Sequence, residues 1–148
     1  RKGWTIEYQY DEKTLEDIEA PIQDYETGET FYPFILKRDE QYTEEGEFMH
    51  HCVATYADKD ESMIVSLRTK DNKDRVTCEY RIQDGSGIQQ RSFCNAMPPD
   101  RFLNSLHELS QKIRQRARFG TLNWKEKKKV RMQINGKEID KNHDFMLF

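Results

Sequence analysis

The sequence contains no long apolar segment and no pattern that would direct it into or across a membrane. None of its 148 residues belongs to a run near the roughly 20 apolar residues that span a bilayer. No signal-peptide pattern opens the chain either. We therefore expect a soluble, cytoplasmic protein that does not contact membranes.

Paired cysteines are also lacking. Cys52, Cys78 and Cys94 are odd in number and widely spaced, and no C-x-x-C pair is present. This spacing predicts neither a disulfide framework nor a zinc site. Because the chain is long enough to bury a sizeable core, it is expected to fold without a metal or another cofactor.

Charged and aromatic residues are abundant instead. Charged side chains make up 34% of the sequence, and eight Phe, seven Tyr and two Trp supply apolar bulk for a core. Residues 1–62 carry 17 acidic and 6 basic side chains, whereas residues 63–148 carry 10 acidic and 18 basic ones. The two halves are expected to complement each other. Arg1 stands where an initiator Met would be, which indicates a longer protein with an upstream domain as one candidate partner.

Residues 1–43 predict an acidic segment of strand and loop. The strict alternation of apolar and polar residues in Trp4–Tyr10 predicts a strand. Residues 14–19 fit a short helix or an extended tether. The apolar run 31–36 contains Pro33, which restricts it to an edge strand.

Residues 44–118 predict the core of the domain, which starts with a helix. Thr43 is a suitable N-cap, and the acidic residues after it favour a helix that includes residues 46–57. At helical spacing Cys52 shares a face with apolar side chains, so it is predicted to be a core residue rather than a nucleophile.

Three alternating segments then predict an antiparallel meander, at residues 63–68, 75–82 and 88–93 with turn residues between them. One face of this sheet is apolar. The other is polar and carries Arg68, Thr77, Glu79, Gln89 and Arg91. Either this polar face is solvated and holds weak cross-strand ion pairs, or it forms part of a functional site.

A long amphipathic helix follows the meander. Its apolar residues recur every three or four positions, at Phe102, Leu103, Leu106, Leu109 and Ile113. This helix should pack on the apolar face of the sheet. Residues 119–148 are a basic extension in which 130–134 alternate as a strand. The predicted fold class is α+β.

These motifs together resemble the PcfJ-like family, a domain associated with conjugative plasmids, phages and other bacterial mobile elements. The resemblance lies in an ordered pattern that falls on His50, His51, Cys52, Val53, Tyr56, Ser66, Leu67, Arg68, Thr77, Glu79, Gln89, Arg91, Asn95 and Pro98. It covers residues 44–113, with Ser92 and Ala54 where the family has Gly. The resemblance implies an α+β fold and suggests other mobile-element proteins as candidate partners. It does not imply a particular activity.

The polar face also predicts a candidate active site. His50 and His51 are adjacent and point in different helical directions, so they cannot easily bind one ligand together. His51 could act as acid or base while Arg68 and Arg91 hold a phosphate, a layout seen in metal-independent ribonucleases by fold-level analogy. The candidate catalytic residues are His51, Arg68, Glu79, Gln89, Arg91 and Asn95. In the alternative, each histidine is an ordinary buried or capping residue.

A basic segment is the second functional candidate. From Lys112 to Arg131 there are nine Lys or Arg against the single Glu126. These cations could bind RNA or DNA, or they could neutralise the acidic N-terminal half. The candidate nucleic-acid-binding residues are Lys112, Arg116, Arg118, Trp124, Lys127, Lys128, Lys129 and Arg131. An enzyme, a nucleic-acid-binding module and a protein-interaction domain all remain open.

Overall fold

The computed structural model describes residues 4–119, 125–131, 133–134 and 137–138. The helices are α1 (Glu12–Ile18), α2 (Asp39–Met49) and α3 (Leu103–Arg118), with short 3-10 helices at Val53–Tyr56, Phe93–Asn95 and Asp100–Phe102. The strands are β1 (Trp4–Tyr10), β2 (Ile22–Gln23), β3 (Thr30–Ile35), β4 (Ser62–Arg68), β5 (Arg75–Arg81), β6 (Gly87–Arg91), β7 (Lys125–Arg131), β8 (Gln133–Ile134) and β9 (Lys137–Glu138). This mixture confirms the predicted α+β class.

A five-stranded antiparallel sheet forms the centre of the fold, in the order β2-β3-β4-β5-β6. The strands β4 to β6 are the predicted meander. Strand β3 adds to β4 with Pro33 opposite Leu67, while β2 pairs only with the first two residues of β3. Pro33 therefore lies in the part of β3 that β2 leaves uncovered, as expected for a strand that contains proline.

The prediction of a helix over residues 46–57 is wrong. Helix α2 begins earlier, at Asp39 after the N-cap Arg38 rather than after Thr43, and it ends at Met49. His50 then adopts the left-handed conformation (φ 54°, ψ 50°), and the His51 N–H donates to the Gly46 carbonyl at 3.1 Å. An added Cβ at Gly46 would lie 3.1 Å from the His51 oxygen, so this glycine lets the chain fold back closely over the helix end.

The early end of α2 changes the surroundings of Cys52. This cysteine precedes the 3-10 helix Val53–Tyr56 and is exposed, so its predicted place in the core is wrong. Val53 is the residue of this segment that is buried. The apolar face that was predicted for a continuous α-helix does not form, because a 3-10 helix has a different number of residues per turn.

Both faces of the central sheet are covered. The larger core lies between the apolar sheet face and α3, where the Phe31 and Phe102 rings are 4.5 Å apart. Leu106, Leu109 and Ile113 are buried there, as predicted. Leu103 is 50% exposed, so its predicted place on the packed apolar face is wrong. A second, smaller apolar cluster of Leu36, Tyr42, Val53 and Ile64 lies on the opposite face, under α2 and the segment after it.

The N-terminal segment contributes to the same core as the meander. Tyr8, Ile18 and Phe31 are buried in the larger cluster. Strand β1 pairs in antiparallel fashion with β7, with Glu7 opposite Lys128. The strand predicted over residues 130–134 is therefore divided: residues 130–131 end β7, which begins at Lys125, and residues 133–134 form β8, which pairs with β9.

The turn between β5 and β6 packs tightly against α3, which leads to a stability prediction. Gly85 has φ 72°, and an added Cβ would lie 2.8 Å from the Arg114 Cα and the Ile113 oxygen. We expect Gly85→Ala to lower the free energy of unfolding by about 2–4 kcal/mol, from left-handed strain together with overpacking. Urea unfolding followed by circular dichroism measures this loss.

Gly87→Ala is the matched control from the same turn. Gly87 has no positive φ, and its added Cβ would be 3.7 Å from the Tyr80 ring, an ordinary contact. We expect it to change the free energy of unfolding by less than about 1 kcal/mol. Equal losses in the two variants would contradict the role assigned to Gly85.

Candidate functional site

A cleft opens between the chain segment after α2 and the polar face of the meander. Its volume is about 90 Å³, and it is lined by His51, Cys52, Val53, Tyr56, Ile64, Thr77, Glu79, Gln89, Arg91 and Asn95. Five of the six predicted catalytic residues thus lie together. Arg68 is the exception, since it does not line the cleft.

His51 is held in the cleft by a chain of hydrogen bonds. The Thr77 hydroxyl donates to a Glu45 carboxylate oxygen at 2.7 Å, and His51 Nε2 lies 2.9 Å from the same hydroxyl. Because Thr77 has only one proton, which it gives to Glu45, Nε2 must carry the proton that it donates to Thr77. The His51 Nδ1 is then unprotonated and can act as an acceptor. It accepts a long hydrogen bond of 3.4 Å from the Val53 N–H.

The protonation state of His51 follows from its surroundings. Burial lowers the pKa of the imidazole below its ordinary value, although the charge of Glu45 opposes the shift. The folded protein therefore binds fewer protons at this site than the unfolded chain does around the ordinary value of 6.5. His51 is consequently neutral at pH 7, and its contribution to stability is lost as the pH falls below that value.

Glu45 is a central site residue that the sequence did not reveal. Its side chain is completely buried and accepts hydrogen bonds from Arg75 Nη1 at 2.7 Å and from Arg68 Nη2 at 3.1 Å. Burial alone would raise the pKa of this carboxyl, but hydrogen bonds from Ser66 and Thr77 and the Arg68 charge hold it below the ordinary value. In the sequence Glu45 is one acid among several, and nothing there distinguishes it from its exposed neighbours.

Arg68 therefore has a different place from the one predicted. Its guanidinium binds Glu45 and lies 4.4 Å from the centre of the Phe34 ring, beneath α2. The polar face is accordingly not the solvated surface with weak ion pairs that one interpretation predicted. The part of it near α2 is a buried ion network, in which removal of Glu45 would leave Arg68 and Arg75 without their shared buried partner.

Glu79 and Gln89 form another part of the cleft wall. The Glu79 carboxylate is 2% exposed and accepts hydrogen bonds from Lys59 Nζ at 2.8 Å, Ser62 Oγ at 2.7 Å and Gln89 Nε2 at 2.9 Å. Burial raises the pKa of Glu79, yet these donors together lower it overall, so the carboxylate stays ionised. Gln89 also donates to the Tyr56 hydroxyl oxygen at 2.8 Å, which leaves the Tyr56 O–H as a donor.

Arg91 differs from the other cations around the cleft. Its Nη1 atom contacts the Gln90 carbonyl at 3.3 Å and the Met97 sulfur at 3.0 Å, both uncharged groups. Within the part of the chain that the structure describes, no carboxylate lies within 4.0 Å of this guanidinium. Lys59 is neutralised by Glu79 and Arg68 by Glu45, so Arg91 supplies the uncompensated positive charge of the cleft.

The basic segment is divided between contacts inside the protein and exposed positions. Lys112 Nζ donates to the Asp17 carbonyl at 2.8 Å, and Arg116 donates to the Thr14 hydroxyl at 2.8 Å. Arg116 also lies 3.7 Å from the Asp11 carboxylate and 3.9 Å from that of Asp17, so it pairs with acids of the N-terminal segment, whereas the Lys112 contact is to an uncharged group. Arg118 and Lys128 are exposed; Lys127, Lys129 and Arg131 lie in β7; and Trp124 lies outside the described residues.

The described residues contain neither a metal-binding cluster nor a helix that could span a membrane. No group of three or more His, Cys, Asp or Glu is placed there to hold a metal ion. Within those ranges, no helix combines the length and the apolar character needed to cross a bilayer.

The fold and the cleft define an α+β domain with a polar, partly buried site at the end of a helix. The sequence matches the PcfJ-like protein family over residues 7–108, and the chain belongs to this family. The match starts in β1, so the family relationship extends further toward the N terminus than the motif pattern from residue 44 onward indicated. Comparison with curated proteins and with solved structures gave no significant match.

The buried ion network leads to a second stability prediction. We expect Glu45→Ala to lower the free energy of unfolding by about 3–5 kcal/mol, because Arg68 and Arg75 would then lose their buried partner. Glu44→Ala is the matched control, since Glu44 also contacts Arg75, at 3.0 Å, but is 52% exposed. Its loss should be below about 1 kcal/mol. Urea denaturation would contradict the assignment if both variants lost equally little.

Proposed function

We propose that this PcfJ-like domain is a module of a bacterial mobile element or phage that binds nucleic acid, and that Arg91 holds a backbone phosphate in the cleft. The observation that carries the proposal is the guanidinium of Arg91, which has no acidic partner among the described residues although the neighbouring cations are neutralised. An anion that enters the cleft can pair with this guanidinium, and no existing ion pair has to break.

Other donors in the cleft suit a phosphate as well. The Tyr56 O–H is available because the oxygen already accepts from Gln89, and the amide of Asn95 lies at the same opening. A guanidinium matches the geometry of phosphate oxygens, and hydroxyl and amide donors add contacts that fix its position. The volume of about 90 Å³ suits a small group of this kind rather than a whole nucleotide.

The first test replaces Arg91 and compares it with an arginine outside the cleft. We expect Arg91→Gln to weaken binding of single-stranded RNA or DNA about tenfold, because a hydrogen-bonded charge contact is lost. The dependence of affinity on salt should become shallower by about one unit of slope. Fluorescence anisotropy with labelled oligonucleotides at several salt concentrations measures both quantities.

Arg81→Gln is the control, since Arg81 is exposed on β5 outside the cleft and its side chain pairs with the exposed Asp84 at 3.4 Å. It should stay within about twofold of the wild-type affinity. Equal affinities of Arg91→Gln and wild type would contradict the phosphate assignment. If the wild type bound no oligonucleotide but captured a protein partner, the protein-interaction alternative would replace it.

A second candidate function is metal-independent cleavage of RNA, which the chain from His51 through Thr77 to Glu45 favours. This chain fixes the tautomer of His51 with Nδ1 unprotonated. Nδ1 would accept the proton of an attacking 2′-hydroxyl in place of its long hydrogen bond from the Val53 N–H. The bond from phosphorus to the 5′-oxygen would then break, and that oxygen would take up a proton from water. A histidine oriented by a second residue and neutral at pH 7 is suited to act as a general base. Arg91 would stabilise the charge that develops on the phosphate.

Cleavage of a labelled RNA in the presence of EDTA tests this candidate. We expect His51→Ala to lower the rate about a hundredfold or more, since positioned proton transfer contributes that much. His107→Ala is the control, because His107 is an exposed histidine of α3 that does not line the cleft. Undiminished cleavage by His51→Ala, or none by the wild type, would sink the enzyme interpretation and leave phosphate binding intact.

A further inference from the structure

The loop that follows Arg91 has a fixed and unusual shape. Cys94 and Asn95 both adopt positive φ, at 56° and 62°, which is unfavourable for two successive residues other than glycine. Backbone hydrogen bonds close the loop, from the Ser92 N–H to the Ala96 carbonyl at 2.8 Å and from the Ala96 N–H to the Phe93 carbonyl at 3.1 Å. A loop that keeps such a conformation presents its side chains in set positions.

Apolar side chains of this loop point into solvent beside the cleft. Phe93 is 51% exposed and Met97 is 71% exposed. The Phe93 ring contacts the His50 ring with 4.7 Å between their centres and a tilt of 45°. We call the surface of His50, Phe93 and Met97 the aromatic platform. It borders the cleft directly. The Met97 sulfur contacts Arg91, and Asn95, from the same loop as Met97, lines the opening.

We propose that the aromatic platform binds a base of a single-stranded nucleic acid by stacking, next to the phosphate held at Arg91. This inference rests on the proposed function and adds the class of ligand to it. Bases present a flat π face that stacks on exposed aromatic rings, and this contact tolerates any sequence.

The position of Arg91 favours a nucleotide over an apolar protein segment. A protein segment lying across Phe93 and Met97 would cover the Arg91 guanidinium, which has no acidic partner among the described residues. Burial of an unpaired charge is costly. A nucleotide brings a base for the platform and a phosphate for Arg91 in one ligand. In a duplex the bases are stacked on each other, so the platform selects single strands.

The test measures the affinity of the 148-residue chain for three probes of equal length: a single-stranded oligonucleotide, an abasic strand with the same phosphates, and a duplex. Phe93→Leu keeps an apolar side chain but removes the ring. We expect it to weaken binding of the single strand about tenfold and to leave the abasic strand unchanged, because only a base can stack. Phe93→Trp should retain the wild-type affinity.

Ile88→Ala is the matched control, since Ile88 is a 45% exposed apolar residue of β6 outside the platform. It should leave all three affinities within about twofold. A 2-aminopurine base in the single strand gives a second readout, because its fluorescence is quenched on stacking in the wild type and not in Phe93→Leu.

The outcomes separate this inference from the proposed function. If Arg91→Gln weakens binding while Phe93→Leu does not, or if the wild type binds the abasic strand as tightly as the normal one, the platform is overturned and phosphate binding stands. If no probe binds the wild type, both are overturned. Selective loss of single-strand affinity in Phe93→Leu, with the abasic strand unaffected, supports the platform.

Discussion

The buried carboxylate of Glu45 determines how the helical layer sits on the polar face of the sheet. It has no exposed surface, and the guanidinium groups of Arg68 and Arg75 approach it to 3.1 and 2.7 Å. A buried charge without a partner costs several kcal/mol, so α2 can dock only where this carboxylate meets both cations. The Thr77 hydroxyl donates to the same carboxylate at 2.7 Å and also contacts His51 Nε2, so the position of Glu45 helps to determine that of His51.

Gly46 converts this docking into a site. It follows Glu45 directly, and the absence of a side chain allows the chain beyond Met49 to return over the helix. His51 therefore faces the sheet at Thr77 instead of continuing along a helix. The same reversal brings Tyr56 to Gln89 and leaves Cys52 at the rim of the cleft. The helix end, rather than any helix face, thus forms one wall of the cleft.

The distribution of charge distinguishes Arg91 from the other cations around the cleft. Inside the fold the buried Glu45 and the half-exposed Glu44 together neutralise Arg68 and Arg75, and the buried Glu79 neutralises Lys59. Arg91 lies on β6 at the edge of the sheet, where no strand or helix brings an acid to it within the described residues. Its edge position therefore distinguishes Arg91 from the other cations, and it lies beside the exposed side chains of Phe93 and Met97. The proposed phosphate binding depends on this difference.

The local pattern of apolar residues was sufficient to predict the meander and α3. Alternation in a strand, and spacing by three or four residues in a helix, directly indicate which side chains face a core. The pattern placed Thr77, Glu79, Gln89 and Arg91 on one face for the same reason, and β4 to β6 have that register. It failed at the end of α2, where the left-handed His50 and the return of the chain depend on contacts with Gly46. Leu103 also satisfied the apolar spacing, yet half of it remains exposed.

The sequence by itself determined the fold class, the meander and the polar character of one sheet face, since these follow from the order of residues along each strand. Tertiary structure alone decided which polar groups pair. Glu45 lies 23 residues from Arg68 and 32 from Thr77, so no local pattern links them. Which charges pair depends on distance and burial after folding. In the folded protein Arg68 pairs with the buried Glu45, whereas the Arg91 guanidinium contacts uncharged groups among the described residues.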